Sequence, residues 1–179
     1  MFVVQAPDPI LSGKAKKIET IDTTLLDLIE AMKVTLVTAS DPEGVGIAAP
    51  QVGKSLQLFL MKPEKDSPIS VFINPEITLL GKPVKRRSKK GGAMLEGCLS
   101  LKDIWGVVER PPKVHVKYLN EKGVKHEKTF AGWPARIIQH EYDHLQGILF
   151  PLRVIEQNEQ LYKSHKNKEG KDEFEPLEL

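Results

Sequence analysis

The 179-residue sequence lacks several features that define specialised classes of protein. It has one cysteine, so an intrachain disulfide is impossible and a reducing compartment, the cytoplasm, is expected. It has no run of about 18 apolar residues, so no membrane span is predicted. Its first residues lack the basic, apolar and small-residue regions of a signal peptide. The net charge of +2 is too small to predict specific binding to nucleic acid or to an anionic membrane surface.

What the sequence does contain is the composition of an ordinary globular domain. Hydrophobic residues make up 40% and charged residues 28% of the chain, and the length suffices for one sizeable core. We predict a single domain over residues 1–165, followed by a charged, frayed tail over residues 166–179. The basic stretch at residues 82–92 is predicted to be a solvated surface loop.

Hydrophobic periodicity predicts three helices and several short strands. Apolar residues at helical spacing predict helices over residues 21–38 and 133–146, and a weaker one from 152 to about 164. Alternating patterns bounded by turn residues predict strands over 56–61, 71–73, 77–80, 106–109, 114–119 and 124–130. This order indicates an α+β fold rather than alternating βαβ units. Antiparallel sheets of short strands would pack around the helix at 133–146, with one helix on the N-terminal side and one on the C-terminal side.

The most informative local motif is H-E-x-x-H, formed by residues 140–144 within the second predicted helix. Residues four apart share one face of a helix, so His140 and His144 can reach a single metal ion. Glu141 lies beside them, where a carboxylate can take a proton from a water activated by the ion. The alternative is that the two histidines are hydrogen-bonded within the core. The apolar neighbours Ile138 and Leu145 predict that this helix is central and that its histidines are shielded.

A catalytic site of this kind needs three protein ligands and one open position. The candidates for the third ligand are Cys98, His115, His126, His165 and a carboxylate. The first two of these histidines lie beside lysines in strands expected to be exposed, and the last lies near the charged tail. Cys98 follows Gly97, which allows a tight backbone next to the ion, and a thiolate suits a borderline metal. Cys98 is therefore the best of several candidates, although a lone buried cysteine is more often a small hydrophobe.

Three motifs, taken together, resemble those of the peptide deformylase family. They are G-x-G-x-A-A-x-Q at residues 44–51, Glu96-Gly97-Cys98-Leu99-Ser100, and Gln139-His140-Glu141-Tyr142-Asp143-His144. Similar segments at residues 7–11 and 147–150 extend the resemblance over roughly residues 2–155. The reaction that the resemblance implies is removal of the N-formyl group from the initiator methionine of new polypeptides, with release of formate.

The resemblance also implies a role for each motif residue. The metal ligands would be Cys98, His140 and His144, holding one divalent ion, with Fe²⁺ favoured and Zn²⁺, Ni²⁺ or Co²⁺ able to replace it. Water on the metal would attack the formyl carbon, with Glu141 acting as general base and then as acid. Gln51 and the backbone N–H of Leu99 would donate hydrogen bonds to the formyl oxygen. One donor to a developing oxyanion is commonly worth about 2.7–4 kcal/mol.

The expected substrates are N-formyl-methionyl nascent peptides. An extended peptide could pair with the backbone from Gly44 to Gly46 as an added strand. The methionine side chain needs an apolar pocket, for which Val45, Trp133, Ile137 and His140 are candidates, with core packing as the alternative for each except His140. We expect a monomer. Because the expected substrates are nascent chains, a transient contact with the ribosome is compatible with this function.

Two further residues, Trp105 and Arg110, are expected near the substrate cleft. Trp105 stands where many bacterial members of the family carry a smaller or basic residue, and it is expected at the rim of the cleft. Arg110 matches a recurring arginine and is expected to form an ion pair near the cleft.

The alternative functions are an H-E-x-x-H zinc endopeptidase and a metal-binding module without catalysis. The complete set of motif residues argues against lost catalysis, and replacement of Cys98 would distinguish the endopeptidase.

Overall fold

The computed structural model describes residues 1–40, 42–87 and 92–178, so residues 88–91 of the predicted basic loop lie outside the described ranges. Within these ranges the α-helices are α1 (Thr23–Thr38), α2 (Gly132–Leu145) and α3 (Phe150–Glu156). The strands are β1 (Gly46–Ala48), β2 (Leu58–Met61), β3 (Ser70–Leu80), β4 (Val84–Lys85), β5 (Glu96–Cys98), β6 (Leu101–Gly106), β7 (Glu109–Arg110), β8 (Lys113–Leu119), β9 (Lys125–Ala131), β10 (Leu161–Lys166) and β11 (Asp172–Pro176). None of the described helices is both long and apolar enough to span a bilayer.

Antiparallel sheets surround helix α2, which confirms the predicted α+β architecture. A five-stranded sheet has the order β1-β2-β3-β8-β9, and a four-stranded sheet has the order β11-β10-β6-β5. Strands β4 and β7 form a separate pair. Helix α2 contacts β1, β2, β8 and β9, and its apolar side chains join those of the larger sheet in one core cluster. Among the described residues, β1 and β5 are edge strands of their sheets, and each has a strand partner on one side only.

Strand β3 is one long strand where two short ones were predicted. Its register with β8 shifts between Ile73 and Glu76, because Asn74 has a φ of 49° and Pro75 has no N–H to donate to the ladder. The Asn74 side chain bonds to both the N–H and the carbonyl of Ile18, at 2.9 and 2.8 Å. The bulge therefore interrupts the alternating pattern without ending the strand. The strand predicted over 106–109 is also wrong, since this segment joins the end of β6 to the start of β7.

The first two predicted helices are confirmed, and the third is shorter than predicted. The Asp22 side chain caps α1 by accepting a hydrogen bond from Leu25 N at 2.9 Å. Helix α3 ends at Glu156, where the prediction continued it to about residue 164. Asn158 adopts a φ of 53° and Glu159 N donates to Val154 O at 2.9 Å, an ending typical of helix C-termini.

Residues 166–176 of the predicted tail belong to a β-hairpin in the described part of the chain. Strand β10 pairs with β6 on one side and with β11 on the other. The pairing with β6 buries Leu161, and a turn in which Gly170 has a φ of 76° joins β10 to β11. We call residues 161–176 the C-terminal hairpin. Its many charged residues resemble a solvated tail, yet they occupy strands because β6 supplies a non-local edge for pairing.

Candidate metal centre and active site

Helix α2 presents His140 and His144 on one face, as predicted. Pro134 lies in its first turn, where a missing N–H costs nothing. The two imidazoles are one helical turn apart, and their ring centroids are separated by 5.0 Å. On the other side of the helix Ile138 and Leu145 are fully buried. The apolar side therefore fixes the rotation of the helix, and both histidines are shielded from solvent.

The structure brings Cys98 to the two histidines. Cys98 is the last residue of edge strand β5 and is buried. Its Sγ atom lies 3.2 Å from His144 Nε2, and the possible ligand atoms of Cys98, His140 and His144 all lie within 4.8 Å of one another. A Cys/His/His set in this arrangement is suited to a four-coordinate ion with one position left open. His115 and His126, the other candidates on strands, instead bond to exposed side chains of β9 and of the loop before it.

Two buried atoms of this cluster have no hydrogen-bond partner among the described residues, namely Glu141 Oε2 and His144 Nδ1. An unsatisfied buried polar atom costs about 1–3 kcal/mol, so such atoms call for an explanation. A carboxylate oxygen without a partner beside three potential metal ligands fits a site that binds a cation and moves protons. The chemistry of the residues therefore fits a divalent ion.

Glu96 orients His140 through a network of buried charges. Glu96 Oε1 lies 2.7 Å from His140 Nδ1, which leaves Nε2 as the nitrogen that an ion could bind. The Arg110 guanidinium donates to both carboxylate oxygens of Glu96, at 2.6 and 3.0 Å, and to Asp143 at 2.9 Å. Arg153 also bonds to Asp143, at 2.8 Å. The expected ion pair of Arg110 is thus confirmed, and it joins β5, β7 and α2 behind the candidate ligands.

The electrostatics of this network favour positive charge at the ligand cluster. Burial alone would raise the pKa of Glu96, but Arg110 and His140 outweigh it and hold this pKa well below its usual value. Burial would lower the pKa of His140, yet the neighbouring Cys98 and Glu96 raise it well above its usual value. A site that stabilises an imidazolium also stabilises a metal cation, which would replace the proton.

The pKa of Glu141 is raised whereas that of Glu96 is lowered, and the pKa of His144 is lowered whereas that of His140 is raised. Burial raises the pKa of Glu141 to about 7, with the attraction of His140 opposing this rise only in part. Burial, followed by repulsion from His140, lowers the pKa of His144 well below its usual value. A neutral imidazole can coordinate a metal directly. A buried carboxyl group whose pKa is about 7 has the properties of a general base and acid near neutral pH.

Gln51 directs its amide nitrogen at the ligand cluster. It lies in the 3-10 helix Ala49–Val52 and is 1% exposed. Its Oε1 atom accepts a hydrogen bond from Ala48 N at 2.8 Å, which fixes the orientation of the amide. Its Nε2 atom then lies 3.4 Å from Cys98 Sγ and 3.3 Å from Ser100 Oγ. A donor group is therefore fixed beside the cluster before any substrate binds.

A cavity of about 260 Å³ opens onto the cluster and is mostly apolar. Among its lining residues are most of those predicted for the site: Val45, Gly46, Gln51, Cys98, Leu99, Trp133, Ile137, His140 and Glu141. His144 lies behind them and is 1% exposed. Gly44 is not in the lining, because it packs against the end of α1 and its N–H donates to Ala39 O at 3.2 Å. The expected rim residue Trp105 does line the cavity.

The sequence-based interpretation did not assign three residues that shape the site. Glu96 orients His140, and its position two residues before the candidate ligand Cys98 is the signal that could have identified it. Asp143, inside the H-E-x-x-H motif, anchors Arg110 and Arg153. Arg136 lines the cavity while donating to the backbone carbonyls of Val84, at 3.1 Å, and Val108. No local pattern marks Arg136, since its partners are distant in the sequence.

Comparison with known proteins agrees with this geometry. Residues 1–160 match the model of the family described as Polypeptide deformylase. The chain belongs to the polypeptide deformylase family. It is 42% identical over 143 residues to a peptide deformylase of Pseudothermotoga lettingae, which covers 80% of this chain and 76% of that protein. It is 37% identical over 155 residues to peptide deformylase 1B of Arabidopsis thaliana, a match covering 87% of this chain and 54% of that one.

Solved structures of the family share the fold. A peptide deformylase from Synechococcus elongatus in complex with actinonin aligns with a TM-score of 0.74 at 37% identity, over 84% of this chain and 76% of that chain. The enzyme from Thermotoga maritima aligns with a TM-score of 0.74 at 36% identity, over 84% and 95% of the two chains. Family membership and the ligand cluster together make this chain a divalent-metal hydrolase that removes the N-formyl group from nascent peptides.

Proposed function

We propose that Cys98, His140 and His144 hold the metal ion with which this chain deformylates the N-terminal methionine of new polypeptides. The observation that supports this assignment best is the convergence of three ligand atoms within 4.8 Å of one another in a cavity that Glu141 also lines. We keep residues 1–165 as the proposed catalytic domain, against which the rest of the C-terminal hairpin packs through the contact of Phe174 with Trp105.

In this proposal the chain itself supplies the proton transfers and the oxyanion donors. The bound ion acts as a Lewis acid and lowers the pKa of a water molecule. Glu141 takes a proton from the water that adds to the formyl carbon. Gln51 Nε2 and the N–H of Leu99 stabilise the oxyanion as it forms. When the carbon–nitrogen bond breaks, Glu141 returns the proton to the departing amine, so that the products are formate and a free N-terminus.

The two edge strands beside the cavity are suited to bind the peptide in an extended conformation. Strand β1 contributes Gly46 and strand β5 contributes Gly97, and both residues line the cavity. An added strand could bond to the edge of either one, which would bring the peptide backbone past the ligand cluster. The methionine side chain would enter the apolar part of the cavity at Val45, Trp133 and Ile137. The predicted role of Gly44 is then limited to supporting β1.

We propose Fe²⁺ as the native ion, with Zn²⁺, Ni²⁺ or Co²⁺ as possible replacements. The support is the resemblance to the family together with a mixed thiolate and imidazole ligand set, which suits these borderline cations. We further propose that the chain works as a monomer in the cytoplasm, where its single cysteine stays reduced. A transient contact with the ribosome would bring it to emerging chains.

Formate release tests the proposed reaction directly. Anaerobically purified, iron-loaded protein is incubated with a formyl-Met-Ala-Ser peptide, and formate is measured with a coupled enzymatic assay. An acetyl-Met-Ala-Ser peptide is the matched control, because it carries one more methyl group on the same amide. We expect formate from the first and no cleavage of the second. Hydrolysis of internal peptide bonds instead would indicate the endopeptidase alternative.

The identity of the ion is tested on the same preparation. Iron(II) and the thiolate of Cys98 both oxidise in air, so we expect activity to decay faster in air than under anaerobic conditions. Metal analysis should find iron before oxidation. A zinc-loaded form that is equally active and stable in air would contradict the preference for iron.

A further inference from the structure

Trp105 forms one wall of the cleft directly beside the metal centre. Its indole lines the cavity and lies flat enough on β5 that a Cβ atom on Gly97 would stand 2.7 Å from Trp105 Cζ3. A side chain at position 97 could therefore not coexist with this position of the ring. Because Gly97 precedes the ligand Cys98, the wall begins one residue from the metal centre.

The C-terminal hairpin holds the opposite end of this indole. Trp105 Nε1 donates to Ser164 Oγ at 3.0 Å. The Phe174 ring meets the indole edge-on, with centroids 5.7 Å apart and an interplanar angle of 87°. This is a preferred geometry for an aromatic pair. Ser164 pairs with Phe174 across β10 and β11, so both side chains lie on the same face of the hairpin.

The two faces of the hairpin differ in what they contact. The face with Ser164 and Phe174 supports Trp105, whereas on the other face His165 lies near Glu173 and Glu175, at 3.5 and 3.9 Å, all three being exposed. The family match ends at residue 160, so both partners of the indole come from a segment outside the match. The position of the cleft wall therefore depends on a part of this chain that lies beyond the matched family region.

We propose that the C-terminal hairpin sets the substrate preference of this enzyme by fixing Trp105 as a wall of the cleft. A peptide lying along β5 would place a side chain that follows the methionine against the indole, which favours an apolar or aromatic residue there. Glu43 and Arg136 line the same cavity with opposite charges, so the preference rests on the apolar contact with the indole rather than on charge. Trp105 contacts substrate, whereas Ser164 and Phe174 are positioning residues. This inference rests on the proposed deformylase function.

The test compares formyl-methionyl tripeptides that carry phenylalanine or glutamate at the second or the third position, together with formyl-methionine amide, which cannot reach the wall. For wild-type protein we expect a higher kcat/KM with phenylalanine than with glutamate at one of these two positions. Trp105→Ala should lower this preference about threefold to tenfold, through KM rather than kcat, since an aromatic contact is lost. Phe174→Ala and Ser164→Ala should lower it in the same direction, and Phe174→Tyr should retain it.

Glu175→Ala is the matched control, because it changes the neighbouring residue on the opposite face of the same strand. It should leave the preference unchanged. An unaltered preference in both Trp105→Ala and Phe174→Ala would overturn the inference while leaving the proposed function intact. So would an equal loss of activity on formyl-methionine amide and on the tripeptides, since that indicates a purely structural role. Absence of formate from every peptide with wild-type protein would overturn the proposed function, and this inference with it.

Discussion

The candidate metal centre and the C-terminal hairpin are both rich in charged side chains, but these differ in burial and in pairing. Around Cys98 the charges are buried, and Arg110 is 4% exposed between Glu96 and Asp143. In the hairpin the pairs Lys166–Asp172 and Lys171–Glu169 are exposed and local. Buried pairs are costly to break, because the remaining partner stays desolvated, whereas exposed pairs contribute little. Equivalent substitutions should therefore have very different effects on stability, metal binding and activity in the two regions.

The largest difference in metal content and activity is expected between variants of the proposed ligands and a variant of an exposed histidine. His144→Ala removes a proposed ligand, and Cys98→Ser weakens another, so both variants should lose bound metal and nearly all formate release. His165→Ala removes an exposed histidine of the C-terminal hairpin and should retain both. Metal content per chain, measured together with formate release, checks this expectation. An active, metal-loaded Cys98→Ser protein would mean that the ion has other ligands, as in the endopeptidase alternative.

A second contrast concerns ion pairs. Arg110→Leu leaves the carboxylate of Glu96 buried without its main partner and that of Asp143 with Arg153 alone, which should lower the free energy of unfolding by about 3–5 kcal/mol. It should also weaken metal affinity about 10-fold to 100-fold, because His140 loses its orienting network. Lys171→Leu, in an exposed pair, should change neither. Denaturant unfolding and metal titration of the two variants measure the difference. Similar losses of stability and metal affinity in both variants would contradict the distinction between buried and exposed ion pairs.

The smallest contrast in this series concerns glycines. A Cβ atom on Gly46 would stand 2.3 Å from Glu141 Oε1, so Gly46→Ala must displace the proposed base. We expect kcat to fall on the order of 100-fold, the cost of displacing a catalytic group by about 1 Å. Gly170 has a φ of 76°, and apart from its chain neighbours no described residue has an atom within 4 Å of the place where a Cβ atom would stand. Gly170→Ala should therefore lower stability by about 1–2 kcal/mol without changing kcat. Steady-state kinetics and thermal unfolding separate the two effects.

The same contrast explains which features could be predicted from the sequence. Helix α2 and its two candidate ligands follow from local rules, since spacing of four residues places His140 and His144 on one face. The proposal of Cys98 as the third ligand needed the family resemblance, because from chemistry alone Cys98 was the best of several candidates. The orienting role of Glu96 depends on a contact with a helix far along the chain, which a single sequence does not reveal.

The C-terminal hairpin could not be predicted for a related physical reason. Residues 166–179 have few apolar side chains, and the composition of such a segment is typical of a disordered tail. Its order comes from pairing of β10 with the distant strand β6 and from the contacts of Phe174 with Trp105. Asn158 ends α3 with a positive φ, a local signal that the helical periodicity beyond it concealed.

The most direct test of the account is the turnover of Glu141→Gln at known metal content. This variant keeps the shape of the side chain and the three proposed ligands but removes the proposed base. Glu173→Gln, in the C-terminal hairpin, is the matched control and should behave like wild-type protein. The account predicts that Glu141→Gln binds metal normally while kcat for formate release falls about 10²-fold to 10⁴-fold. Normal turnover in a metal-loaded Glu141→Gln protein would contradict it.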